Sequence, residues 1–200
     1  MDSVLLARHG ESVRSVDGRV NGDPRVPAGL TAAGRAQAQA LGELFAGRPV
    51  DLAVTSAFPR TIETADIALA GRDVPRLVLD DLNDLVFGSF ENASLAEYRA
   101  WVRAHGPEDA PPGGESRAAS VRRWVRGFRT VLERPERTVL VVSHGMPIRY
   151  LLAAADGAAP TALAEELGYA EPHELGAAEL ARALGTLAAW CAAPAWAVDG

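Results

Sequence analysis

Apolar residues run along this chain in two rhythms. Four short runs, Val4-Leu-Leu-Ala7, Asp51-Leu-Ala-Val-Thr55, Arg76-Leu-Val-Leu79 and Thr138-Val-Leu-Val-Val142, have the length and near-continuous hydrophobicity of buried strands. Between them, apolar positions recur at helical spacing. Thr31 has an N-cap side chain and opens a helix running through Phe45, with Gly47 as its stop signal. Pro59 suits the first turn of a helix that carries Ile62, Ala65 and Leu69 and is closed by Gly71. A short helix is predicted around Ala96–Arg103, followed by the loop Gly106–Gly114. Val121, Trp124, Val125, Phe128, Val131 and Leu132 then form one apolar stripe on a longer helix. After Tyr150 the chain is rich in Ala, Leu and Glu and reads as helix almost throughout, with no clear final strand pair.

Strands alternating with helices predict a three-layer α/β/α fold around a mainly parallel central sheet. Two hundred residues without a shift in composition predict one domain over 1–200. Within it, about 85–114 is a mixed stretch of short helix and loop, and about 153–200 is a helical C-terminal segment.

Composition narrows the partners. A formal net charge of −6 and the lack of any basic run argue against nucleic acid or a membrane surface. Cys191 is the only cysteine, so no intrachain disulfide is possible and a cytoplasmic setting is expected. A strand beginning at Val4 leaves no room for a signal peptide. The longest uncharged stretch, Ala183 to Val198, is broken by Pro194 and falls short of the roughly 18 residues of a spanning helix, so it is read as a packing helix. There is no lysine, so a phosphate site here would use guanidinium and imidazole.

Two of the strands end in the same way. Val4–Ala7 runs into Arg8-His9-Gly10, and Thr138–Val142 runs into Ser143-His144-Gly145. A histidine at a strand end of an open α/β sheet faces the crevice where ligands bind. A glycine behind it allows a sharp turn and close approach of a ligand. The pair points to chemistry on phosphate rather than to packing.

Over roughly its first three quarters, the chain resembles the histidine phosphatase superfamily, of phosphoglycerate-mutase-like fold. The segments that carry the resemblance are Leu6–Ser12, Gly18-Arg-Val-Asn-Gly22, Leu30-Thr-Ala-Ala-Gly34, Thr55-Ser-Ala-Phe-Pro-Arg60 with Glu63-Thr64-Ala65, Leu82–Gly88, Gly114-Glu115-Ser116 and Val142–Gly145. The resemblance implies that His9 is a nucleophile forming a phosphohistidine. Arg8, Arg60 and His144 complete the phosphate pocket, and Asp84 is the general acid. Ser15, Asn21, Gly22 and Gly145 are further candidates for substrate contact. Asp80, Asp81, Glu91 and Glu115 are rival carboxylates, set aside for Asp84 on motif register. No cofactor is implied, and no metal is expected, because arginine supplies the positive charge.

Four departures bear on substrate. Asp84 stands where many members carry glutamate, which puts its reach at issue. Ser15 replaces a usual asparagine, and Asn92 a common glycine. Leu85 stands where mutases of the family carry arginine, which favours hydrolysis of a phosphomonoester over mutase activity. The mutase and a non-catalytic, phospholigand-binding member are the alternatives. Phe87, Phe90, Tyr98 and Trp101 lie beside Arg99 and Arg103. Core packing accounts for any one of these aromatics, yet some are also suited to wall a pocket for a small organic or sugar phosphate.

Leu175, Leu180, Leu184 and Leu187 recur at roughly helical spacing and predict a helix covering one sheet face rather than a lid. Trp190, Cys191 and Trp196 are expected to be buried, in the domain or against a second copy in a homodimer. His173, beside Pro172, is expected in a loop without a chemical role.

Overall fold

In the computed structural model, which describes residues 1–163 and 165–197, the predicted strands assemble around two central ones. The strands are β1 (Ser3–Arg8), β2 (Leu52–Thr55), β3 (Arg76–Val78), β4 (Thr138–Ser143) and β5 (Pro172–Gly176), in the order β3-β2-β4-β1-β5. The first four are mutually parallel and β5 joins β1 antiparallel. The helices are α1 (Val13–Val16), α2 (Ala32–Leu44), α3 (Pro59–Ala68), α4 (Leu95–Arg103), α5 (Arg117–Leu132), α6 (Gly145–Ala155) and α7 (Ala177–Ala192).

The period of two along each strand sorts the helices into layers. Val4, Leu6, Val139 and Val141 point to one face, where α5, α6 and α7 pack. Leu5, Ala7, Leu140 and Val142 point to the other, against α2 and α3. Burial on both faces explains why these strands read as unbroken apolar runs.

Local signals set the helix starts. The Thr31 hydroxyl accepts from Gly34 N–H, and Pro59 takes the first turn of α3. Ser94 and Glu97 form a reciprocal capping box on α4, and Ser116 caps α5.

The segment after Tyr150 departs from its all-helical reading. Gly157, at φ +84°, follows the end of α6, and the described residues from there to β5 form no helix or strand. Leu175 belongs to that strand, while Leu180, Leu184 and Leu187 are buried on α7 as expected. His173 is therefore a strand residue, paired with Leu6, and not a loop residue. Pro-His-Glu-Leu-Gly carries no apolar run because β5 is an edge strand, with Pro172 tolerated at its first position.

Trp190 is buried and Trp196 partly so. The Trp196 indole donates to the His105 carbonyl at 2.9 Å, which anchors the tail of the chain inside the domain. Cys191 is half-buried beside them. Ala164 and Val198, the last residue of the uncharged stretch, lie outside the described residues. No described helix is long and apolar enough to cross a membrane.

Candidate active site

The register of β1 on β4 creates the site. Arg8 pairs with Ser143, and His9 N–H donates to the Ser143 carbonyl at 3.0 Å, so His9 and His144 leave the sheet side by side. Their ring centroids are 5.4 Å apart, and the two side chains are 4% and 1% exposed. Gly10 then packs its backbone against Gly34, where an added Cβ would stand 2.5 Å from the carbonyl oxygen. Gly10 N–H is tied to the Thr64 hydroxyl at 3.0 Å.

Hydrogen-bond bookkeeping sets the state of each imidazole. His9 Nδ1 lies 2.8 Å from the Gly10 carbonyl, which can only accept, so Nδ1 carries the proton. Arg60 Nε–H donates to Nε2 at 3.1 Å, which requires a lone pair there. Burial, then Arg60 and Arg8, push the His9 pKa well below its ordinary value. His144 Nδ1 accepts from Arg60 Nη2 at 3.2 Å, leaving Nε2–H to donate to the Ser56 hydroxyl at 2.9 Å. Burial, followed by Arg60 and His9, also lowers His144 well below 6.5. Both imidazoles are neutral.

Arg60, 4% exposed, is the hub of the site. Pro59 places it in the first turn of α3, and its guanidinium lies 4.1 Å from the centre of the Phe58 ring. Besides the two histidines it reaches Asn21 Oδ1 at 2.9 Å and Asp84 Oδ2 at 3.2 Å. Arg8 lies under the C-terminal segment. It donates to the Leu167 carbonyl at 2.6 Å and sits 4.0 Å from the Tyr169 ring centroid, while its Nε has no hydrogen-bond partner among the described residues.

The structure brings Asp84 into this group despite its shorter side chain. Oδ2 stands 3.4 Å from His144 Nδ1, and Oδ1 accepts from Leu85 N–H. Burial raises the Asp84 carboxyl above its usual 3.8, against the opposing pull of Arg60. The loop carrying it is pinned from behind by α5. Arg123 donates to the carbonyls of Asn83 and Asp84 at 2.8 and 2.9 Å, and the Trp124 indole to that of Asn83 at 2.8 Å. The rival carboxylates are engaged elsewhere. Asp81 pairs with Arg126, Glu115 with Arg123, and Glu91 with Asn21 and Gly22 N–H, while Asp80 lies in a turn outside the cavity.

The remaining candidates fall in different places. Ser15 lines the cavity and its hydroxyl bonds that of Ser12 at 2.8 Å. Asn21 reaches the site by holding Arg60. Gly22 stands behind it, its N–H already taken by Glu91 and its Cα packed against the Leu85 carbonyl. Gly145 lines the cavity as the first residue of α6, whose cap, His144, offers the helix no side-chain hydrogen bond. The first-turn N–H groups of α6 thus add positive field at the crevice. Asn92 has a φ of +66°, a conformation that suits the glycine it replaces, and its Oδ1 accepts from Arg14 at 2.6 Å.

A cavity of about 340 Å³ opens from this cluster. Its apolar wall includes Leu85, Phe87, Tyr98 and Val102, as the 85–114 stretch suggested, whereas Phe90 and Trp101 pack outside it. Arg117, Glu166, Leu167 and Tyr169 also line it, and none of them was marked by the sequence. Tyr169 and its neighbours lie in irregular chain without periodicity, so only folding brings them over Arg8. Among the described residues no group of three or more His, Cys, Asp or Glu side chains is placed to hold a metal ion. A lone pair on His9, flanked by donors from Arg8 and Arg60 and faced by a carboxyl held toward its protonated form, is suited to phosphoryl transfer.

Comparison with known proteins agrees. Residues 4–191 match the model of the histidine phosphatase superfamily (branch 1), so the family match extends through α7, beyond the first three quarters. A 2,3-bisphosphoglycerate-dependent phosphoglycerate mutase 2 of Gloeobacter violaceus is 33% identical over 86% of this chain and 84% of its own. An adenosylcobalamin/alpha-ribazole phosphatase of Salmonella typhimurium is 33% identical over 74% of this chain and 76% of its own. The crystal structure of a putative alpha-ribazole-5'-P phosphatase from Escherichia coli superposes with a TM-score of 0.75 at 28% identity, covering 88% of this chain and 90% of that one. The chain belongs to the histidine phosphatase superfamily.

Proposed function

We propose that the protein hydrolyses phosphomonoesters of small organic or sugar alcohols through a phosphohistidine on His9. The observation that carries this reading is the tautomer of His9, its proton held on Nδ1 by Gly10 and its Nε2 lone pair turned toward Arg60. Nε2 attacks phosphorus and the ester P–O bond breaks, while Arg8, Arg60 and His144 surround the equatorial oxygens. Asp84 gives its proton to the departing alcohol oxygen. It then takes a proton from water as that water attacks the phosphohistidine, releasing inorganic phosphate and returning His9 to its neutral form.

Hydrolysis is favoured over mutase activity by Leu85, which presents a buried apolar side chain to the cavity beside Asp84. The phosphoglycerate mutase among the relatives keeps isomerisation as the second reading, tested by incubating the protein with a phosphoglycerate and a bisphosphoglycerate primer.

The direct experiment is a rapid quench with a labelled phosphomonoester. Acid-labile, base-stable label is expected on the wild type and none on His9→Ala. Label that persists in the variant would overturn the covalent route. A protein that turns over no phosphomonoester and carries no label would be a binding member instead.

A further inference from the structure

Met146 stands two residues beyond His144, in the first turn of α6, and lines the same cavity as His9. It is half-buried, packed against the core that α5, α6 and α7 share. Arg117, the first residue of α5 and 4% exposed, donates from Nη1 to its sulfur at 3.0 Å. The same nitrogen also donates to the Tyr150 hydroxyl at 2.8 Å, and Nη2 reaches the Tyr98 hydroxyl at 3.4 Å. The rings of Tyr98 and Tyr150 lie 6.0 and 5.8 Å from the guanidinium carbon, so Arg117 is fixed before any reagent arrives.

A thioether sulfur carries two lone pairs and is a weak hydrogen-bond acceptor. It is also a nucleophile toward peroxides, and an oxygen added to either lone pair makes the sulfur a chiral centre. A methionine on an open surface turns freely about its bonds and presents both lone pairs, so it yields both epimers of the sulfoxide. Met146 is held differently. The Arg117 N–H occupies one lone pair, and the cavity of about 340 Å³ lets a small reagent reach the side chain. The rival sulfurs of the chain are Met1 and Cys191. Burial raises the Cys191 thiol above its usual range, which holds it in the protonated, unreactive form.

We propose that Met146 is an oxidation site in the wall of the cavity, converted by a hydroperoxide to one epimer of methionine sulfoxide because Arg117 occupies one lone pair of its sulfur. The free lone pair attacks the hydroxyl oxygen of the hydroperoxide and the O–O bond breaks. The displaced oxygen takes up the proton and leaves as water or an alcohol. Sulfur loses two electrons and the hydroperoxide gains them. The product adds a polar oxygen to a cavity whose wall is apolar at Leu85, Phe87 and Val102, so an ester whose alcohol part packs there is held less well. That consequence rests on the phosphatase reading; the modification itself does not need turnover.

The test is limited oxidation of the folded protein with hydrogen peroxide, followed by digestion and peptide mapping. The peptides are then treated with the two methionine sulfoxide reductases in turn, each of which reduces one epimer. From the native protein, one epimer of Met146 sulfoxide is expected to exceed the other by about tenfold, the ratio that one hydrogen bond from a charged donor supports. The same residue oxidised in urea should give the two about equally, and Arg117→Leu should bring the native ratio to the unfolded one. An equal mixture from the native protein, a Met146 that stays reduced while Met1 is oxidised, or a selectivity that survives Arg117→Leu would overturn the proposal. Should Arg117→Leu fail to fold, native against unfolded wild type and Arg117→Lys, which moves the donor, decide it. Oxidation should also raise KM for an organic phosphomonoester several-fold, and Met146→Leu, which keeps Cys191, should hold its own KM under the same treatment. An unchanged KM in the oxidised wild type would count against the proposal. Single-epimer oxidation of a protein that shows no turnover before treatment would uphold the site and count against the phosphatase reading alone.

Discussion

His9 and Asp84 share Arg60 as a hydrogen-bond partner, and burial moves them in opposite directions. The imidazole is pushed below 6.5 and the carboxyl is raised above 3.8, so the two values approach each other. The reaction needs His9 without its second proton and Asp84 with its own. Activity should therefore rise with pH as His9 becomes neutral and fall as Asp84 ionises, giving an acidic to neutral optimum. A pH–rate profile of kcat/KM checks the sign, since a rate without a falling limb at higher pH would exclude a protonated Asp84 as the acid. Asp84→Asn keeps the shape but removes the proton. It should slow an alkyl phosphate by about 10²–10⁴-fold and an aryl phosphate, whose leaving group needs less help, far less. Equal losses on both would shift the acid role to another carboxyl, with Glu166 at the cavity rim the first to examine.

The loop that carries Asp84 is short and irregular, and its order comes from its neighbour α5. Arg123 and Trp124 satisfy the carbonyls of Asn83 and Asp84, and Glu115 holds Arg123 in turn at 2.7 Å. Asn83 Oδ1 closes the other side by accepting from Ala57 N–H at 2.8 Å. Removing the guanidinium should free the loop while leaving the histidines in place. Arg123→Ala is expected to lower kcat on alkyl phosphates by roughly 10- to 100-fold, the scale of a catalytic group misplaced by about an ångström. Burst labelling of His9 by an aryl phosphate should survive. If steady-state kinetics with alkyl phosphates are unchanged, the acid loop is held by other contacts.

At the scale of the whole molecule, α7 joins α5 and α6 over the face of the sheet that carries Val4, Leu6 and Val141. Leu184 is buried there, and Leu184→Ala should cost about 2–5 kcal/mol. For a chain of this size that is a fall in Tm of about 4–20 °C, readable by calorimetry. The kcat at 25 °C should hold, because α7 supplies no cavity residue. Buried neutral histidines also make stability depend on pH. With folded-state values below 6.5, the unfolded chain binds protons that the native one refuses. Stability is therefore full above pH 6.5 and lost as the pH falls, by up to about 1.4 kcal/mol per pH unit for each histidine. Asp84 opposes this near the acid end, since its raised value favours the folded state until the pH climbs through it. Thermal scans from pH 7.5 downward should show the decline, and His144→Gln should reduce its slope by about half.

What the chain determined by itself is whatever depends on neighbours in sequence. The β1, β2 and β4 runs were legible because burial on both faces demands unbroken apolar residues, and Thr31, Pro59 and the Trp124 stripe marked helices through local capping and period. The two strand-end histidines were legible because the apolar run before each and the glycine behind it are adjacent in sequence, and Arg60 through the resemblance of Thr55–Arg60 to the family's motif. Other features depend on pairing across the fold. β5 has no apolar run, since an edge strand needs only one partner, and Pro-His-Glu-Leu-Gly becomes a strand because β1 offers it a free edge. The proximity of His9 to His144 rests on the register of Arg8 opposite Ser143. The reach of Asp84 was decided by α5 pinning its loop, which no count of side-chain methylenes could reveal. Tyr169 over Arg8, and Arg117 on the cavity wall, likewise exist only once irregular chain and a helix start are packed around the same crevice.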